Sequence, residues 1–332
     1  MKAVFLSEKP KRLRSVYLDT APKLYGLTDL SDEVYSHADV LSAPQKFSDV
    51  EFVFSTWGMP IFSEEEIRTI FPNLKCVFYA AGSVQKFARP FLSCGVKVFS
   101  AWAANAIPVA EYSVAQIILA NKGFFPTALR MKEGAHAEAK KLSGTHPGNY
   151  GERVGLLGAG MIGSYVANML KAYHLSVCVF DPFLSDERAE ALNVTKCSLD
   201  EIFSTCRVVS NHLANNDATR GMLNYTHFSH MLPNSTFINT GRGAQVVEPD
   251  LVRTLTERPD VTALLDVTMP EPPEKGHEFY RLPNCILTPH IAGSLGNEVR
   301  RMAEYMREEF ERYISGEATR YEVTPKMLEI MA

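Results

Sequence analysis

Arg242, Glu271 and His290 each fall just past a short run of strand-forming residues. They lie in Ile238-Asn-Thr-Gly-Arg-Gly243, Leu265-Asp-Val-Thr-Met-Pro-Glu-Pro272 and Leu287-Thr-Pro-His-Ile-Ala-Gly293. In open α/β sheets the carboxyl ends of strands are where ligands bind. A guanidinium there offers two donors in a fixed fork, which suits planar bidentate recognition of a carboxylate better than lysine does. An imidazole can give a proton in one direction of a reaction and take it back in the other. A carboxylate beside it orients the ring and stabilises its charged form.

A second constellation supplies what those three lack. Arg153-Val-Gly-Leu-Leu-Gly158-Ala-Gly160-Met-Ile-Gly163 places G-x-G-x-x-G between a β-like run and a helical pattern over residues 164–172. Gly158 permits the tight turn, Gly160 lets the backbone approach a pyrophosphate, and Gly163 lets the helix pack on the strand, with the helix N-terminus facing the phosphate charge. The next strand ends at Asp181, 18 residues after Gly163. That is close to the spacing of about 20 at which an acidic residue meets a ribose 2′-hydroxyl. Pro182-Phe183-Leu184 offers no arginine for a 2′-phosphate, so the turn predicts NAD.

The elements that must position these groups alternate between strand and helix, so the fold class is α/β. Predicted strands cover residues 2–6, 51–55, 75–80 and 96–99, with a helix over 63–70 capped by Ser63. A long helix is predicted from about Pro108 to Met131, and turn formers fill 144–151. Six further strands follow at 153–157, 176–180, 208–211, 236–239, 262–265 and 285–287, the count of a full dinucleotide-binding sheet. A charged amphipathic helix runs from Asn297 to roughly Tyr313, ending before Gly316.

The chain has 332 residues, enough for about two domains, and 34 basic against 38 acidic side chains give a net charge of −4. The mean hydropathy of −0.09 is that of an ordinary globular protein. The mild acidity argues against nucleic acid or an anionic membrane as partner, and no uninterrupted apolar run reaches the roughly 18 residues of a membrane span. The six cysteines form no C-x-x-C pair and no histidine spacing suggests a metal, so most are expected as buried thiols in a reducing cytoplasm, with no metal bound. Lys132, Lys140 and Lys141 read as a solvated face, and Met222, Met231 and Met269 as core.

Together with Asn105-Ala-Ile-Pro-Val-Ala-Glu111, these segments resemble the D-isomer-specific 2-hydroxyacid dehydrogenases, whose fingerprints read roughly NAxxVAE, GxGxxG, INTxRG, DVxxxEP and LTPHIxG. The resemblance implies two doubly wound parallel-sheet domains, a Rossmann NAD-binding domain at residues 108–292 and a flavodoxin-like substrate domain at 1–107 and 293–332. It implies NAD as cofactor, a small 2-keto or 2-hydroxy acid as substrate, and a homodimer formed through the cofactor domain. Arg242 would bind the acid, His290 would be the acid/base and Glu271 its partner. Cofactor contacts carried over are Gly158, Gly160, Met161, Ile162, Gly163, Asp181, His212, Thr219, Thr240 and Asp266, the last meeting the nicotinamide carboxamide.

Where many members read VGxGYDNID, this chain has Ala80-Ala-Gly-Ser-Val-Gln-Lys-Phe87. Ala81 and Gly82 keep a backbone that could face a substrate carboxylate, but the Tyr-Asp-Asn contacts do not transfer. Trp57 and Trp102 are expected to wall the pocket and favour an acid longer or less polar than lactate or glycerate. A phosphite- or formate-type dehydrogenase is the alternative enzyme, although formate enzymes resemble this pattern with glutamine at the Glu271 position. A corepressor-like NAD-sensing scaffold would keep the same motifs without turnover.

Overall fold

The computed structural model describes residues 1–329. The chain divides into two compact units, Ala106–Gly293 and a second made of Met1–Asn105 with the segment from Ser294 onward.

The N-terminal unit holds β1 (Ala3–Leu6), β2 (Val34–Tyr35), β3 (Phe52–Ser55), β4 (Cys76–Tyr79) and β5 (Lys97–Ser100), in the parallel order β5-β4-β3-β1-β2. A short strand, Glu322–Val323, adds antiparallel to β5. Four of these strands are buried end to end or nearly so, because helices cover both faces of the sheet. The register aligns Phe5, Phe54, Phe78 and Phe99 in one row across β1, β3, β4 and β5. Phe54 and Phe78 stack at 5.3 Å, Phe78 and Phe99 at 4.9 Å. The helix Val299–Ser315 covers that row with Met302, Met306 and Phe310, spaced four apart and fully buried. It ends on Gly316 in the left-handed conformation, as its sequence predicts.

The second unit holds β6 (Tyr150–Leu157), β7 (His174–Phe180), β8 (Thr195–Lys196), β9 (Val208–Asn211), β10 (Thr236–Asn239), β11 (Thr262–Leu265) and β12 (Cys285–Leu287). All are parallel, in the order β12-β11-β10-β9-β6-β7-β8. From β8 through β11 this is the 3-2-1-4-5-6 winding of a dinucleotide-binding sheet, with β12 added at the far edge. The α/β class with two doubly wound sheets is therefore present in full.

Several sequence expectations need correction. The sheet has seven strands, because the two-residue β8 is too short to leave a periodic signal. The helix expected over 108–131 begins earlier, at Trp102, and stops at Asn121; a separate helix covers Phe124–Lys132. The break is Gly123, whose φ of +65° is left-handed and whose missing Cβ leaves room for the His146 ring. A further helix, His136–Ser143, precedes the turn segment and carries the exposed Lys140 and Lys141. The glycine-turn helix is Met161–Leu170 rather than 164–172, since its first turn is built from the fingerprint itself.

Helix Trp102–Asn121 is by length and composition apolar enough to cross a bilayer, although polar residues interrupt its apolar runs. Its Ala110, Ser113, Ile117, Ala120 and Asn121 are buried inside the protein. Met231 is core and Met222 packs beside it, but Met269 is 59 % exposed, because it sits in the loop after β11. Only three cysteines are buried; Cys94, Cys197 and Cys285 are partly exposed.

Candidate active site

The glycine turn has the shape of a phosphate cradle. Gly158 has φ +93°, and a Cβ there would lie 2.9 Å from the His212 carbonyl oxygen. A Cβ on Gly163 would sit 2.0 Å from Gly158 O, so strand and helix touch backbone to backbone. Above Gly160, by contrast, there is open space. Gly160 caps the helix without a side-chain hydrogen bond, so the first N–H groups, at Met161 and Ile162, are left for an anion. Asp181 stands at the end of β7, where its carboxylate accepts from Ala159 N at 2.7 Å and Phe183 N at 2.8 Å. These features fit the pyrophosphate and ribose of NAD.

An arginine does reach this turn, from further along the chain than Pro182–Leu184. Arg188 Nη2 donates to Ala159 O at 2.7 Å and to Ser164 Oγ at 2.8 Å. The Ala159 peptide is thus gripped on its N–H side by Asp181 and on its carbonyl side by Arg188. Sequence reading missed this because Arg188 lies in a separate helix, Asp186–Leu192.

His212, just past β9, is buried, with Nε2 3.0 Å from Ser210 Oγ and Nδ1 3.3 Å from Thr240 Oγ1. Thr240 in turn meets Ser113 Oγ at 3.2 Å. Thr219 closes its own loop, its hydroxyl donating to Ala214 O at 2.6 Å. Burial pulls the His212 imidazolium down from 6.5 to about 3. Between those values the unfolded chain binds a proton that the folded chain does not, so stability complete above pH 6.5 is lost as the pH falls. The slope is at most about 1.4 kcal/mol per pH unit. Urea midpoints measured from neutral pH downward should show a shallower acid decline for His212→Asn than for the wild type; equal slopes would contradict this.

Arg242 follows β10 and is half-buried, on a backbone fixed by amides. Its N–H donates to Gln245 Oε1 at 3.0 Å, which also accepts from Asn211 Nδ2 at 2.6 Å, and Asn239 Oδ1 accepts from the same Nδ2 at 3.0 Å. Arg242 Nη1 donates to Gly241 O at 2.7 Å. Among the described residues no carboxylate comes within ion-pair distance of the guanidinium. Burial lowers its pKa and the nearby Glu271 opposes this.

His290 and Glu271 meet, Nδ1 to Oε1 at 2.7 Å, across 19 residues of sequence. Both side chains are partly exposed, and among the described residues His290 Nε2 has no hydrogen-bond partner. His290 takes a left-handed φ of +55°. For a side chain other than glycine that conformation costs about 1–2 kcal/mol, so the loop must be held from elsewhere. Asp266 holds it: its carbonyl accepts from His290 N at 3.0 Å. Its buried carboxylate accepts from Thr288 Oγ1 at 2.6 Å, Ile291 N at 2.8 Å and Ala292 N at 2.9 Å. Glu248 does the same for Glu271. Buried, with its carboxyl pushed up by desolvation, it accepts from Met269 N at 2.7 Å, two residues before Glu271. Glu248 and Gln245 were missed by sequence reading; a carboxyl and an amide inside an otherwise apolar stretch were their only signal.

In the N-terminal unit Trp57 and Ala81-Gly82 lie past β3 and β4 at the carboxyl edge of the sheet. Ser100 Oγ donates to Ala81 O at 2.8 Å and Gly82 O at 2.6 Å. Trp57 packs on the core, with the Arg12 guanidinium 4.5 Å over its ring. Trp102 opens the long helix and meets Tyr321 edge-on at 5.6 Å. Both tryptophans are partly buried by their own unit. Among the described residues no group of three His, Cys, Asp or Glu could hold a metal ion.

Residues 114–292 match the family model of the D-isomer specific 2-hydroxyacid dehydrogenase NAD binding domain, more than half of the chain. The chain belongs to this dehydrogenase family. NAD is the cofactor of the matched domain. A D-3-phosphoglycerate dehydrogenase of Archaeoglobus fulgidus is 32 % identical over 60 % of this chain and 37 % of its own length. One from Synechocystis is 29 % identical over 71 % and 43 %. The chain thus spans well under two thirds of these relatives. A D-isomer specific 2-hydroxyacid dehydrogenase from Lactobacillus delbrueckii, solved in an NAD-complexed form, shares the fold over 98 % of this chain and 100 % of its own, with a TM-score of 0.79 at 19 % identity.

Proposed function

We propose that this dehydrogenase-family protein interconverts a 2-keto acid and a D-2-hydroxy acid. The observation that carries the reading is the 2.7 Å His290–Glu271 contact in the same domain as a turn shaped for a dinucleotide. When bound, NAD supplies or accepts the hydride at substrate C2. Arg242 holds the carboxylate and keto oxygen. In reduction His290 donates its Nε2 proton to the oxygen that becomes the hydroxyl; in oxidation Nε2 takes that proton back. Glu271 accepts from Nδ1–H, which fixes the ring and stabilises the imidazolium. Trp57 and Trp102 favour a longer or less polar acid, which full retention of substrate preference in Trp57→Ala would refute.

The test is NADH oxidation with a panel of 2-keto acids from glyoxylate to phenylpyruvate. Saturable turnover supports the proposal; NADH binding without turnover of any acid removes it. Arg242→Lys keeps the charge but loses the fork, and should lower kcat/KM by about a hundredfold or more. The homodimer rests on the helix Phe124–Lys132, which buries no residue and exposes Phe124, Leu129 and Met131. Sedimentation should give twice the chain mass, and Phe124→Glu should shift it toward the monomer.

A further inference from the structure

Three of the six cysteines gather around one guanidinium, beside the strands that lead to the glycine turn and Asp181. Arg153 Nη2 lies 3.1 Å from Cys178 Sγ on β7 and 3.7 Å from Cys197 Sγ just past β8. Cys206, at the end of the helix Leu199–Thr205, belongs to the same buried core cluster as Cys178. Gly155 makes the room. It is the β6 partner of Cys178, and a Cβ there would lie 3.3 Å from Cys206 Sγ and 2.3 Å from Ile202 Cγ2. Cys178 and Cys206 are buried, whereas Cys197 and Arg153 are partly exposed, so the cluster runs from the surface inward.

A sulfur that accepts from a guanidinium is favoured as thiolate. The neighbouring Cys206 thiol, with Arg153 and Cys197 behind it, holds Cys178 below the ordinary thiol range against its burial. The neighbours stay protonated: burial and the charge on Cys178 push Cys197 up, and the nearby Cys178 with burial pushes Cys206 up. A thiolate beside thiols that can resolve its oxidation meets two needs of an oxidant-reactive cysteine, and the third, access, must come from the side of the partly exposed Cys197 and Arg153.

We infer that Cys178 is a peroxide-reactive thiolate and that Cys206 is its resolving partner. The thiolate attacks a peroxide oxygen; an S–O bond forms, the O–O bond breaks, and the departing hydroxide takes up a proton. Cys206 then gives up its thiol proton and attacks the Cys178 sulfur; the S–S bond forms, the S–O bond breaks and water leaves. The two sulfurs lose two electrons and the peroxide gains them. The product links β7, three residues before Asp181, to the residue that ends helix Leu199–Thr205.

The test treats the whole protein with a small excess of hydrogen peroxide and maps its peptides without reduction. A Cys178–Cys206 peptide that dithiothreitol reverses is expected as the main product. Its rate of formation should rise with pH and level off below the ordinary thiol range. Arg153→Gln should slow it roughly tenfold, with Arg153→Lys restoring much of the rate. In Cys206→Ser a sulfenic acid should persist on Cys178, trapped by dimedone. A main link between any other pair, or a Cys178 that outlasts the partly exposed Cys94, overturns the assignment. Circular dichroism of each variant separates these outcomes from misfolding.

Discussion

In His290→Ala, kcat/KM for the best 2-keto acid falls by about three orders of magnitude, while NADH binds as tightly as before. The imidazole is the one titratable side chain on its loop, Thr288 to Gly293. Its one side-chain partner among the described residues is Glu271, so its removal leaves the glycine turn and Asp181 untouched. Steady-state rates beside a fluorescence titration with NADH read both quantities. Turnover at the wild-type level would take His290 out of the chemistry, and lost NADH binding would make its role structural. Glu271→Gln should fall between the two, since an amide still orients Nδ1 but does not stabilise the imidazolium.

Gly243→Ala should damage stability and catalysis together. A Cβ at Gly243 would stand 2.0 Å from the Thr268 carbonyl carbon and 2.3 Å from its oxygen. These are backbone atoms, so no side chain can swing aside. One partner, Gly243, is the neighbour of Arg242. The other begins the segment pinned by the Glu248–Met269 hydrogen bond and leading to Glu271. Relieving the clash therefore moves either the guanidinium or the carboxylate. We expect a loss of about 1–3 kcal/mol in urea unfolding with a marked fall in kcat. Gly160→Ala is the contrast: its Cβ meets nothing within 4 Å, so the fold should hold while the KM for NADH rises. An unchanged melt for Gly243→Ala would show that the Thr268 segment yields freely.

The legible parts of this protein were those whose signals are local. The strand–glycine turn–helix run sets a backbone path within a dozen residues, and Asp181 sits one helix and one strand further on. Ser63 with Glu66 forms a capping box, and Gly316 ends a helix, because both are decided within a turn of chain. The helix break at Gly123 was not legible. Its left-handed backbone is occupied because the His146 ring, 23 residues away, packs where a Cβ would be. Met269 was misplaced for a related reason: an apolar side chain does not announce that its loop faces solvent.

The order of the site residues along the chain, the dinucleotide turn and the α/β class belong to the sequence by itself, since periodicity and spacing along the backbone carry them. The tertiary structure alone decided which groups touch. It closed the 19-residue gap between Glu271 and His290, set Asp266 to hold a left-handed histidine, brought Arg188 to the glycine turn, and gathered Arg153, Cys178, Cys197 and Cys206 into one cluster. Those contacts join elements distant in sequence, and their distances follow from sheet order and close packing, which no local spacing encodes.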